Sequence, residues 1–587
     1  MKFKRTDHWT DKANQLGLLF FAQILDEALF DFTLETYKPK ALNVRLLCVE
    51  VLQTIDNIKK GVIKKPNLKS IIEELLSNLN SDYAVKKILD TRFDRIIERI
   101  KNNENNLPEL KATVAYLYHQ LDQRKYLKSV QDCLTELIPQ NREKENIYFL
   151  TKIYLTELIN YGYFPGFIYH QVNTHFFNRT NSVSDVDPVS FFNRFDFSTK
   201  KFNVVFRVDK IFLEFQSISE LLHFKIHESF NIEDISGPEK EFIDNKTENE
   251  VFLVYENLEA TDGISARHNA EIPLERIANF FSFFHHKEKP TIQNKALVIN
   301  TVDGFTILLD KPIKSIIKKE DIKPKEAVER VKSIFVNLDL PMDTLLRLSK
   351  AIDIHSIALE TDEIENKLLN LWTAIETLIP KDAESDQDRI IQIIQGLMPF
   401  QCQLYLNNLI KQVFNDWYFF NTRNAAAILE TVITTEPEQR INKILALFTT
   451  KENDPIRQNV YSQLNDFPLL RFRIYTINKH FGNGKSIKKL LNDHIQRVEW
   501  QIRRIYRVRN LIVHAGQMPT YSNILVENLH NYYDNMVNFI IDNTKDSNFK
   551  TIKEGIISCD IDLKCLMHNI ESIGDNEINL ANYKLIS

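Results

Sequence analysis

The chain has 587 residues, 43% of them apolar and 26% charged, with a net charge of −5. This is the composition of a folded globular protein long enough for two to four domains, and it excludes a chain that is basic throughout, so any nucleic acid must meet a local patch. No run approaches the roughly 18 consecutive apolar residues of a membrane span, and five cysteines scattered from Cys48 to Cys565 do not read as a disulfide framework, so a soluble, cytoplasmic protein is expected.

Glycine is scarce, at 13 residues against a usual share of about 7%, which points away from Gly-rich cofactor loops and towards helices. Residues 1–180 read as a helical region. Apolar residues recur at three- and four-residue spacing over Ala41 to Ile58, Leu68 to Leu79, Ala84 to Ile100 and Leu107 to Leu121. The texture then changes. Phe202 to Val208 and Val251 to Tyr255 are β-branched and aromatic runs of strand length, and Leu297-Val298-Ile299 and Phe305 to Leu309 flank a hairpin-forming Asp303-Gly304. Residues 181–320 are therefore expected to form an α+β middle domain, followed by a charged linker over 321–361, with Lys314 to Lys325 as the boundary. The whole reads as mainly α.

From 362 to 543 the pattern is helical again. Asp362 with Glu365 makes a capping-box-like start, an apolar stripe runs from Ile364 to Leu378, and Pro380 ends it. A long helix is predicted from Ser486 to Ala515, stopped by Gly516 and Pro519, and another from Asn523 to Asp542. Residues 544–587 read as a polar tail.

The long helix carries the most specific phrase in the chain, Arg509-Asn510-Leu511-Ile512-Val513-His514. At 100° per residue Arg503, Arg507, Asn510 and His514 fall on one stripe, while Ile502, Ile505, Val508 and Ile512 fall on the other side. Arg509 lies about 140° round from His514, so its long side chain, or a slight unwinding near Gly516, is needed to bring the two together. A guanidinium offers paired donors to phosphate oxygens, and an imidazole moves protons near neutral pH.

The sequence from Arg504 to Gly516, with Leu371-Trp372-Thr373-Ala374-Ile375-Glu376-Thr377-Leu378 as a first helix, resembles the Apea-like HEPN branch of bacterial phage-defence proteins. That resemblance covers the C-terminal region only, and the two matching helices lie far enough apart to require an insertion. It implies a metal-independent endoribonuclease without a cofactor. His514 would transfer the proton, Arg509 would clamp phosphate and transition state, and Asn510 would fix the geometry. Arg503, Arg507 and Glu376 would bind RNA or support the site, with Arg507 an alternative clamp and Glu376 orienting His514 or Arg509. The 2′-hydroxyl of RNA would attack the neighbouring phosphate, leaving a 2′,3′-cyclic phosphate and a 5′-hydroxyl. One motif per chain implies a homodimer, and abortive infection implies a phage-derived trigger, with residues 1–360 sensing or restraining. The rival readings are a non-catalytic dimerisation or RNA-binding module, and the toxin half of a toxin–antitoxin pair.

Other constellations are weaker. Arg473 and His480 share the motif spacing, but Ile474 follows the Arg and the local pattern is not clearly helical. Gly482-Asn483-Gly484-Lys485-Ser486 lacks the first glycine of a phosphate-binding loop, since position 479 is Lys479, and reads as a helix cap. His223 and His227 on a helical face, and Cys559, Cys565 and His568, complete no four-ligand zinc set. His285-His286 follows Phe280 to Phe284, which reads as the end of a buried segment.

Overall fold

A computed structural model describes residues 3–30, 33–232, 235–312, 322–337, 340–381, 387–544 and 549–586. The chain is mainly helical with one five-stranded sheet among these residues, and it divides into two compact units. One unit comprises Met1–Tyr154, Arg179–Pro188 and Ser315–Ser587, and the other Leu155–Asn178 and Val189–Lys314. The N-terminal helices and the C-terminal helices, separate regions by sequence pattern, thus belong to a single unit. None of the helices among the described residues is long and apolar enough to cross a membrane.

The smaller unit is the expected α+β part. Strands β1 (Lys200–Asp209), β2 (Lys225–His227), β3 (Glu250–Ala260), β4 (Ile292–Asn300) and β5 (Thr306–Asp310) form an antiparallel sheet in the order β2-β3-β1-β4-β5. Alternate residues of β1 face opposite sides, as a pleated strand requires. Val204, Phe206 and Val208 pack with Ala266, Ala270 and Leu274 of the helix Gly263–Phe284, and Val205 packs on the other side with Phe252 and Phe242. The β4–β5 hairpin turns at Gly304, whose φ of 70° suits the residue without a Cβ. Two expectations fail here. His223 lies in a turn and His227 in β2, so they share no helix. Phe280, Phe283 and Phe284 are exposed and do not end a buried segment.

In the larger unit, the helices Val44–Lys59, Asn67–Ser81 and Leu107–Gln120 form close to where apolar spacing places them. The predicted helix from Ala84 to Ile100 is broken, because Asp90 adopts a left-handed φ of 48° between the helices Tyr83–Leu89 and Phe93–Asn102. Residues 313–321, which hold most of the expected charged boundary from Lys314 to Lys325, lie outside the described residues. The rest of the expected linker holds the helices Pro324–Asn337 and Met342–Glu360, and the second supplies Leu348, Ala351 and Ala358 to the C-terminal core. The Trp372 helix begins at Ile364 with Glu363 at its N-cap, one residue past the expected cap. The expected polar tail contains the helix Ile552–Ile573, opened by a capping box of Thr551 and Glu554. A single apolar core joins these helices to Ile502, Ile505, Val508, Leu529 and Tyr532.

Candidate functional site

The Arg–His helix spans Gly484–Ala515, 32 residues. Asn483 caps it, its side chain accepting from the Ser486 amide at 2.8 Å. Gly484 is required by close approach, since a Cβ there would stand 2.5 Å from the Ile570 carbonyl oxygen. The glycine-rich stretch is thus a helix cap packed on the C-terminal helix. At the far end Gly516 takes a left-handed φ of 59°, and its amide donates to the Ile512 carbonyl at 3.1 Å. The helix stays regular through Ala515, so no unwinding brings Arg509 towards His514, and only side-chain reach is left to do so.

His514 is exposed in the last turn, and Arg509 and Asn510 are half-buried. Arg509 Nη1 donates to Asn510 Oδ1 at 3.1 Å, so the amide orients the guanidinium. Val513 and Met518, 50% and 37% exposed, place apolar surface beside His514. The ring of Trp372 lies 5.6 Å from that of Tyr506, which joins the two helices that carry the resemblance. Glu376 is half-buried on the Trp372 helix, and its main-chain carbonyl accepts from Arg389 at 3.0 Å. Among the described residues it makes no hydrogen bond to Arg509 or His514, contrary to the orienting role expected of it.

The expected basic stripe is divided. Arg503 is held by Glu499 one turn back, at 2.8 Å. Arg507 is only 3% exposed, bonded to Glu50 at 2.8 Å and to the Ser70 hydroxyl at 3.3 Å, so RNA cannot reach it in this conformation. Arg504, 1% exposed, forks onto Glu50 at 2.8 Å and Glu74 at 2.5 Å. Burial alone would raise the Glu50 carboxyl, but Arg504 and Arg507 outweigh it and pull it down to about 2. Burial likewise opposes the charge on Arg504, and Glu50 and Glu74 hold it well above its ordinary range. Glu50 and Glu74 come from the N-terminal helices Val44–Lys59 and Asn67–Ser81. No helical periodicity reveals these partners, because the pairing spans more than 400 residues of sequence. A half-legible signal existed, since Glu50 and Glu74 interrupt otherwise apolar faces.

Arg473 and His480 lie on a regular helix, Pro468–His480, although the local sequence pattern is not clearly helical. Arg473 is committed elsewhere, to Glu27 at 2.5 Å and to the ring of Tyr37 at 3.5 Å. One cluster was missed altogether. His355, His530 and Asp534 bring three ligand atoms within 4.8 Å of one another, His530 Nδ1 standing 3.2 Å from Asp534, and this group could hold a metal ion. His530 and Asp534 sit one turn apart on the helix Ser522–Thr544, but His355 comes from the helix Met342–Glu360, 175 residues before His530, too far for any spacing rule. Cys559 is buried and Cys565 exposed, and both are free thiols. Comparison with known protein families, curated proteins and solved structures finds nothing that matches this chain.

Proposed function

We propose that the chain is a HEPN-type endoribonuclease that needs no metal, acts in phage defence by abortive infection, and is restrained by its own N-terminal helices. The observation that carries this reading is the placement of His514, exposed at the end of a helix whose Arg504 and Arg507 are locked by Glu50 and Glu74. His514 accepts the 2′-hydroxyl proton, Arg509 stabilises the charge that builds on the phosphate, and Asn510 holds Arg509. A second copy supplies the second proton-transfer group, and exposed Val513 and Met518 are apolar surface for that homodimer. The same exposed patch also favours a second reading, a dimerisation or RNA-binding module without catalysis, or a toxin half held by a separate antitoxin.

The test is RNA cleavage by wild type and His514→Ala in excess EDTA, with both RNA ends mapped. Cyclic-phosphate ends, and a loss of about 10²–10⁴-fold in the variant, are expected. Activity that EDTA abolishes, that manganese restores and that His355→Ala removes would transfer the chemistry to the His355–His530–Asp534 cluster. RNA binding without cleavage in any state would leave the non-catalytic module.

A further inference from the structure

A net charge of −5 leaves RNA to be met by a local patch, and one such patch lies in the N-terminal helices. Around the turn between the helices Val44–Lys59 and Asn67–Ser81, five lysines stand within eleven residues: Lys59, Lys60, Lys64, Lys65 and Lys69. All five are exposed. The segment that carries them is held in place. Ile63 is buried, the amides of Gly61 and Val62 donate to the carbonyls of Ile58 and Asn57 at 3.0 Å, and those of Asn67 and Leu68 donate to Lys64 and Lys65 at 3.1 Å. The ammonium groups, by contrast, are lightly engaged. Lys64 lies 3.3 Å from Asp388 and Lys69 3.9 Å from Glu73, while Lys65 donates to the Asn105 carbonyl at 3.2 Å. Asp56, at the end of the first helix, is paired with Lys111. Exposed pairs of this kind contribute little, so a phosphate can exchange for them.

The contacts of the Arg–His helix set this segment beside the motif. Trp500 Nε1 reaches Glu73 at 3.5 Å, Arg504 forks onto Glu74, and Arg507 meets the Asn67 carbonyl at 3.5 Å and the Ser70 hydroxyl at 3.3 Å. Rising numbers on one helix meet falling numbers on the other, so the two run antiparallel. Asn67 is the first residue of its helix, so beyond Arg507 that helix no longer covers the face. His514 stands seven residues further on, about 20° from the face of Arg507 and about 10 Å along the axis. The part of the chain next in line on that side is the lysine segment, which leaves His514 open while bringing cations towards it. The start of the Asn67–Ser81 helix, which no side chain caps among the described residues, adds its positive end to the same place.

We propose that the segment from Lys59 to Lys69 is an RNA-binding track that holds the phosphates of a single strand beside the Arg509–His514 site. An ammonium is a point charge on a flexible stem, so such a track grips the backbone and reads no bases. A second copy of the chain does not suit the same surface, because pairing it with itself would set lysine against lysine. The N-terminal helices then do two things: Glu50 and Glu74 seal Arg504 and Arg507, and the turn between the same helices receives the substrate. Its place beside a catalytic group rests on the ribonuclease reading; the contacts between lysines and RNA do not.

The test is fluorescence anisotropy of a labelled oligouridylate over a salt series, with the full chain carrying His514→Ala so that the RNA stays whole. Lys64→Gln with Lys65→Gln should make the fall of log affinity with log salt shallower by about 1.4, at about 0.7 per phosphate contact of a single strand. At about 0.1 M salt that is a loss of about tenfold or more. Lys128→Gln with Lys564→Gln removes equal charge from other helices of the unit and should change neither quantity. All four lysines are exposed, so both variants should fold. An unchanged slope in the first pair, an equal loss in the second, or displacement of the RNA by polyglutamate of equal charge would each overturn the proposal. RNA held by these lysines but cut in no state would keep the track and remove the ribonuclease. RNA cut by the otherwise wild-type chain, with a KM that the Lys64 and Lys65 changes leave alone, would do the reverse.

Discussion

Replacing Glu50 by Gln removes the charge that two buried guanidiniums share while keeping the side chain's shape. Arg504 and Arg507 would be left with Glu74 as their one acidic partner in the cluster. Removing one partner of a buried ion pair costs about 3–5 kcal/mol, because the other charge stays desolvated. Linkage gives a similar figure. The Glu50 carboxyl falls from 4.5 to about 2 on folding, equivalent to about 3 kcal/mol at neutral pH. A depressed carboxylate contributes its full share above the unfolded value of 4.5 and loses it as pH falls towards 2. Urea unfolding of both proteins from pH 7 to pH 3 should therefore show a gap of about 3 kcal/mol that holds to about pH 5 and narrows below it. A gap under about 1 kcal/mol at pH 7, or one that acid does not narrow, would refute the electrostatic account. The same cluster is the proposed restraint. Holding an inactive state at 99:1 needs only about 2.7 kcal/mol, so Glu50→Gln should also raise toxicity in cells, and His514→Ala should abolish that rise. Increased toxicity that survives His514→Ala would break the link between the cluster and the motif.

Further outcomes can be checked separately. Gly484→Ala drives a Cβ onto the Ile570 carbonyl oxygen at 2.5 Å, so the chain should lose about 1–3 kcal/mol; an unchanged melting temperature would show that the C-terminal helix can shift away. Val513→Asp with Met518→Asp charges the apolar surface beside His514, and sedimentation should show dimers giving way to monomers; a dimer that persists lies elsewhere.

Local pattern alone made several helices, the β-hairpin and the core face of the Arg–His helix legible. Ile502, Ile505 and Val508 are buried as their spacing predicts, and Gly516 ends the helix because a left-handed residue was needed there. Such features rest on contacts within a turn or two of chain. What periodicity cannot convey is which distant element covers a helix's polar side. Arg507 shares a stripe with His514 by angle, yet one is sealed against Glu50 and the other is open, because the N-terminal helices pack on only part of that face. The order of the tail has the same origin. Ile552, Cys559 and Leu563 gain their burial from the packed unit, and the expected linker becomes a core helix through Leu348 and Ala351. Side-chain chemistry was written in the sequence, but its company was chosen by long-range packing, where burial decides whether a charge is a partner in the core or a group that can meet a substrate.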